Sequence, residues 1–127
     1  MNIPKNAVVW FEIPVTDFDR AKKFYSEICD YEMPEQIMGP SRMGFFLMNH
    51  EKGGIGGAII AGEGYTPGKT GTKVYLQAGD DLTSVLDKIE SAEGKVILPK
   101  TLITEEIGYF VIFEDTEGNH VCLHSRN

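Results

Sequence analysis

Cationic clusters, long apolar runs and paired cysteines are all missing from this chain. It contains no stretch of about 18 apolar residues, which excludes a membrane-spanning helix on length alone. No run of Lys or Arg stands out, and 19 acidic residues outnumber 12 basic ones for a net charge of −7. Electrostatic binding to nucleic acid or to an anionic membrane is therefore disfavoured. The only two cysteines, Cys29 and Cys122, lack Cys-x-x-Cys spacing, so reduced thiols are expected. With no apolar signal segment at the N-terminus, a cytoplasmic location is expected. The glycine-rich run Gly53–Gly57 precedes no Lys-Ser/Thr pair and opens no helix, which excludes a phosphate loop; it marks the start of a strand or a close backbone approach. No Ser–His–Asp arrangement can be argued from spacing. Cys122 and His124 share a strand face about 7 Å apart, beyond easy hydrogen-bond reach.

What is present is an ordinary apolar fraction of 42% in 127 residues, enough for one domain over residues 1–127 with a sizeable core. Within it the chain repeats itself about every 64 residues: Asp17 recurs as Asp81, Gly44 as Gly108, Phe46 as Phe110 and Gly54 as Gly118. A fixed period of this kind marks a duplicated supersecondary unit. Each copy reads as a strand, an Asp-capped helix and further short strands, eight strands and two helices in all. Strand one is expected over Ala7–Val15, with Val9, Phe11, Ile13 and Val15 on one face and Trp10 and Glu12 on the other. The first helix carries the stripe Phe18, Ala21, Phe24, Tyr25 and Ile28, and the second carries Leu82, Val85, Leu86 and Ile89. Short strands are expected near Glu32–Met33, Met43–Met48, Ile55–Ile60, Lys73–Ala78, Lys95–Leu98, Tyr109–Phe113 and His120–Ser125. The segment Pro99–Gly108 is expected as a loop, either covering a cleft or simply solvated. Module one then spans about 7–61, a Gly/Pro/Thr-rich linker about 62–72, and module two about 73–127.

The phrases WFEIPVTDFDRAKKFY and GYFVIFEDTEGNHVCLHS carry a family likeness. They resemble the vicinal oxygen chelate superfamily, which includes glyoxalase I, extradiol dioxygenases, fosfomycin-resistance proteins and bleomycin-binding proteins. The resemblance covers almost the whole chain and implies an α+β fold of two βαβββ modules forming an incomplete barrel, commonly completed in a homodimer. It implies little about activity, because one scaffold hosts lyases, dioxygenases, transferases and binders.

Enzymes resembling this chain hold a divalent ion with one side chain from the first and last strand of each module. Those slots fall here on Trp10, on Lys73 (or Val74, counting from Asp81 instead of Asp80), on Cys122 and on Ala58. Indole, methyl and ammonium groups do not ligate a divalent ion, and one thiol cannot hold it alone. No metal and no cofactor are therefore expected. A relocated site using His120, Cys122 or His124 with Glu12 is disfavoured, since two histidines four apart on a strand are separated by about 13 Å. The expected cleft lining is Trp10, Glu12, Lys73, Tyr75, Gln77, Cys122 and His124, suited to an aromatic or amphipathic small molecule. Trp10 could equally be core, and Glu12 with Lys73 a structural ion pair. The expected function is binding of such a molecule without a catalytic metal; the alternative is a metal-dependent lyase or dioxygenase.

Overall fold

The computed structural model describes residues 2–127. Strand β1 (Trp10–Pro14) leads into helix α1 (Phe18–Cys29), whose N-cap Asp17 accepts the Arg20 amide at 3.1 Å. The five residues of its apolar stripe are all buried. Strands β2 (Glu35–Met38), β3 (Ser41–Phe46) and β4 (Gly56–Ala61) complete a four-stranded sheet in the order β1-β4-β3-β2. Because α1 crosses over between them, β1 runs parallel to β4, while the other neighbours are antiparallel. The second half repeats this pattern with β5 (Tyr75–Gln77), α2 (Leu82–Ile89), β6 (Lys95–Thr104), β7 (Gly108–Glu114) and β8 (His120–Ser125), in the order β5-β8-β7-β6. The fold is thus α+β with two βαβββ sheets, neither closed into a barrel. Among the described residues no helix is long and apolar enough to cross a membrane.

The two halves match bond for bond. The Val15 amide donates to the Ile60 carbonyl at 2.9 Å, and one repeat later the Ala78 amide donates to His124 at 2.8 Å. The interval is 63 residues on the first strand of each half but 64 on the last strand and at the helix caps Asp17 and Asp81. The extra residue lies between β5 and α2, where Gly79 takes a φ of +84°. Strand register therefore equates Trp10 with Lys73, while Val74 packs against the core.

Three expected elements fall elsewhere. Strand β1 begins at Trp10, and Val8 and Val9 before it are exposed. Strand β2 lies at Glu35–Met38 because Met33 is buried beneath Gly44 and its amide is bonded by the Ser26 hydroxyl at 3.1 Å. The Pro99–Gly108 segment is no covering loop: β6 runs on to Thr104 and pairs along β7, with Thr101 opposite Phe110. Pro99 is tolerated because β6 is an edge strand whose register slips between Leu98 and Thr101.

Both halves share one core. Tyr25 of α1 stacks edge-on against Phe46 of the first sheet at 5.4 Å and against Phe113 of the second at 6.5 Å. Ile13, Phe24 and Ile59 join Leu82, Ile89, Val111 and Leu123 in the same buried cluster. Gly57 on β4 has no room for a side chain, since a Cβ there would run into the Phe11 ring. Each sheet commits one surface to this core, and on the other surface of the first sheet Met43, Ala58 and Ile60 form a small buried cluster of their own.

Candidate functional site

The turn joining β7 to β8 ties the halves together, and it accounts for both sequence signatures. Asp115 is buried and accepts the Tyr25 hydroxyl at 2.6 Å, the Asn119 side-chain amide at 3.0 Å, and the Glu117 and Asn119 backbone amides. Burial first, and then the Asp115 charge, push the Tyr25 phenol well above its ordinary value. Glu117 accepts the Thr16 and Asp17 amides at the start of α1, at 3.0 and 2.7 Å, and pairs with Arg20 at 2.7 Å. Burial would raise the Glu117 carboxyl, but Arg20, the Asp17 and Thr16 amides and the Thr116 hydroxyl together hold it below the usual range. Asp17, Arg20 and Tyr25 of the opening signature and Asp115, Glu117 and Asn119 of the closing one are partners in a structural clamp.

On the open surface of the first sheet, Trp10 is 40% exposed and lies 6.2 Å from the Phe45 ring. Its indole N–H points to Glu12 Oε2 at 3.4 Å, and at Gly56, its neighbour on β4, a Cβ would lie 3.5 Å from the indole and 3.2 Å from the Met48 side chain. Met43, Ala58 and Ile60 form a small buried cluster with Phe45 on this side. Trp10 is thus no part of the main core.

The other expected lining residues belong to the second sheet. Tyr75 is 53% exposed, stands 6.1 Å from Phe110 and pairs in register with Cys122, as Gln77 does with His124. Burial raises the Cys122 thiol above its ordinary value, opposed by Tyr75 and Lys73. His124 Nε2 sits 2.7 Å from the Ile107 carbonyl, and Lys73 donates to the Lys69 carbonyl at 2.8 Å. Among the described residues, no hydrogen bond, ion pair or ring contact joins these five to Trp10 and Glu12, so the Glu12–Lys73 ion pair does not form.

The four positions that correspond to metal ligands carry Trp10, Ala58, Lys73 and Cys122, a donor set that does not fit a divalent ion. Among the described residues, no group of three or more His, Cys, Asp or Glu side chains is placed to hold one.

His120, which the sequence offers only as a ligand of a relocated metal site, has a different setting in the fold. Its Nε2 lies 3.1 Å from Glu114 Oε1, which also lies 3.5 Å from Lys69. The pairing with His120 holds the Glu114 carboxyl below its ordinary value despite burial. His120 and Glu12 line a cavity of about 230 Å³ where β1, β8 and the linker meet. A larger hollow of about 510 Å³ along α1 is an open, charged groove bordered by Lys22, Lys23 and Glu27, and it shares no lining residue with the first.

The sequence profile described as Glyoxalase/Bleomycin resistance protein/Dioxygenase superfamily matches residues 7–123. A glyoxylase-like domain-containing protein of Didymella fabae is 30% identical over 123 residues, covering 91% of this chain and 90% of its own. Glyoxalase I from Zea mays superposes with a TM-score of 0.66 at 17% identity, covering 93% of this chain but 44% of the maize enzyme, so the chain spans less than half of that protein. TnmS3, an antibiotic binding protein from Streptomyces sp. CB03234, superposes at 0.68 with 21% identity over 99% of this chain and 100% of its own. The fosfomycin resistance protein FosX from Listeria monocytogenes gives 0.63 at 17% identity, over 97% and 92%. At these identities the structural likeness shows the fold alone.

Proposed function

Because the chain belongs to the glyoxalase/bleomycin resistance protein/dioxygenase superfamily, we propose that it uses that scaffold to bind a small aromatic or amphipathic molecule without a catalytic metal. The observation that carries this reading is the replacement of the first ligand position by Trp10, whose indole and the Phe45 ring form an open apolar wall beside the Glu12 carboxylate. An exposed tryptophan next to a single directed polar group suits stacking of a flat ligand better than metal chemistry. The description of TnmS3 as an antibiotic binding protein supports a binding role for this fold.

Elemental analysis of the purified protein is expected to give less than about 0.2 equivalents of divalent metal per chain. Near one equivalent of zinc, nickel, manganese or iron would overturn the reading in favour of a metal-dependent lyase or dioxygenase.

The same reading makes the chain one domain, with modules over about 7–61 and 73–127 and the linker between, acting as a homodimer. Support comes from the open sheet surfaces: Trp10 on one and Tyr75 on the other are both uncovered within the chain. In a dimer, Tyr75, Gln77, Cys122 and His124 of one protomer would form the wall facing Trp10 of its partner, with Lys73 held on the Lys69 carbonyl of its own chain. Light scattering at micromolar concentration is expected to give about twice the chain mass of 14.1 kDa, and a monomer mass would exclude a shared cleft.

A further inference from the structure

We propose that the cavity at the junction of β1, β8 and the linker takes the cationic, hydrogen-bonding end of the ligand whose apolar body lies on Trp10, an inference that rests on the binding reading above. The cavity measures about 230 Å³. That is smaller than the roughly 300–1,000 Å³ of a site that holds a whole drug-sized molecule, so it fits one end of a ligand rather than all of it.

Its walls are built and held. Asn119 donates to the Pro14 carbonyl of β1 at 2.7 Å and to Asp115 at 3.0 Å, and its Oδ1 accepts the Gly68 amide of the linker at 2.9 Å. One side chain thus fixes the two strands and the roof relative to each other. Preorganised walls lose little freedom when a ligand enters.

The groups facing the cavity are free to bind. Thr66, Thr70 and Thr72 of the linker line it, and none of their hydroxyls has a hydrogen-bond partner among the described residues. His120 has one ring nitrogen engaged by Glu114, which leaves Nδ1 uncommitted.

Charge decides the ligand class. Lys69 faces Glu114, and Lys73 is turned to the Lys69 carbonyl, so neither neutralises Glu12. Glu12 receives only the long Trp10 contact at 3.4 Å and has no cation within ion-pair distance among the described residues. The pocket therefore presents one uncompensated carboxylate among hydroxyl groups and an imidazole. That arrangement matches a protonated amine carried on a short hydrogen-bonding arm. Because Glu12 also touches the Trp10 indole, such an arm continues directly from a ring stacked on Trp10.

Three probes with one aromatic body separate the possibilities: naphthylethylamine, naphthylethanol and naphthylacetate, followed by anisotropy of the naphthalene emission. The amine is expected to bind about ten-fold or more tighter than the alcohol, and the acetate weakest. In Glu12→Gln, with unfolding temperature checked against the parent, the amine-to-alcohol ratio should fall to about one. Equal affinities of amine and alcohol in the parent would overturn the cavity assignment while leaving the Trp10 wall standing. Persistence of the amine preference in Glu12→Gln would overturn it as well. If none of the three probes binds, both this inference and the reading beneath it fail.

Discussion

Asp115→Ala should lower the unfolding free energy by on the order of 3–5 kcal/mol, since it strips partners from several buried donors at once. The Tyr25 hydroxyl lies wholly inside the core and has Asp115 as its acceptor at 2.6 Å. The Asn119 side chain and two backbone amides of the β7–β8 turn lose the same carboxylate. The midpoint of thermal unfolding is expected to drop by roughly 10–20 °C. Tyr25→Phe removes only the hydroxyl and leaves the turn intact, so it should cost about 1–2 kcal/mol. Asp115→Asn keeps an acceptor of the same shape and should fall between the two. Urea unfolding of the three variants ranks them. If Asp115→Ala were within 1 kcal/mol of the parent, the turn could not be what holds the two halves together.

The second large effect is on binding. Replacing Trp10 with Ala should weaken naphthylethanol by on the order of 1–3 kcal/mol, a rise in Kd of about 5- to 150-fold. Trp10 is 40% exposed and lies outside the main core, so the unfolding transition should hardly move. As the sole tryptophan, it also reports its own occupancy, and stacking should quench or shift its emission in the parent protein. The opposite pattern, lost stability with unchanged affinity, would make Trp10 a packing residue and leave no reason to place a ligand there.

The repeat was legible because its markers are local. Asp17 and Asp81 cap helices through their own side chains, and the stripe from Phe18 to Ile28 follows helical spacing. Strand β2 was misplaced because Glu35–Met38 is exposed throughout and offers no alternation to read. Pro99 reads as a break in isolation, and only the neighbouring β7 shows that an edge strand can carry it. The open face bearing Trp10 and Glu12 followed from alternation on β1, but the relation of one sheet to the other has no local signature. The setting of His120 stayed hidden for a similar reason. Along β8 the residue reads as a metal ligand; in the fold it meets Glu114 across a hairpin and shares a cavity with the linker threonines.

The side chains that make this chain recognisable are those of the clamp: Asp17, Arg20 and Tyr25 on one side, Asp115, Glu117 and Asn119 on the other. None of them contacts the Trp10 ring, and only Asn119 also lines the cavity beside Glu12. Joint and binding wall are therefore written in largely separate letters here, with Asn119 common to both. Trp10, Ala58, Lys73 and Cys122 make no side-chain hydrogen bond or ion pair to the joint among the described residues, so changes there leave its bonds in place. The open faces and the cavity beside them carry what the scaffold is used for.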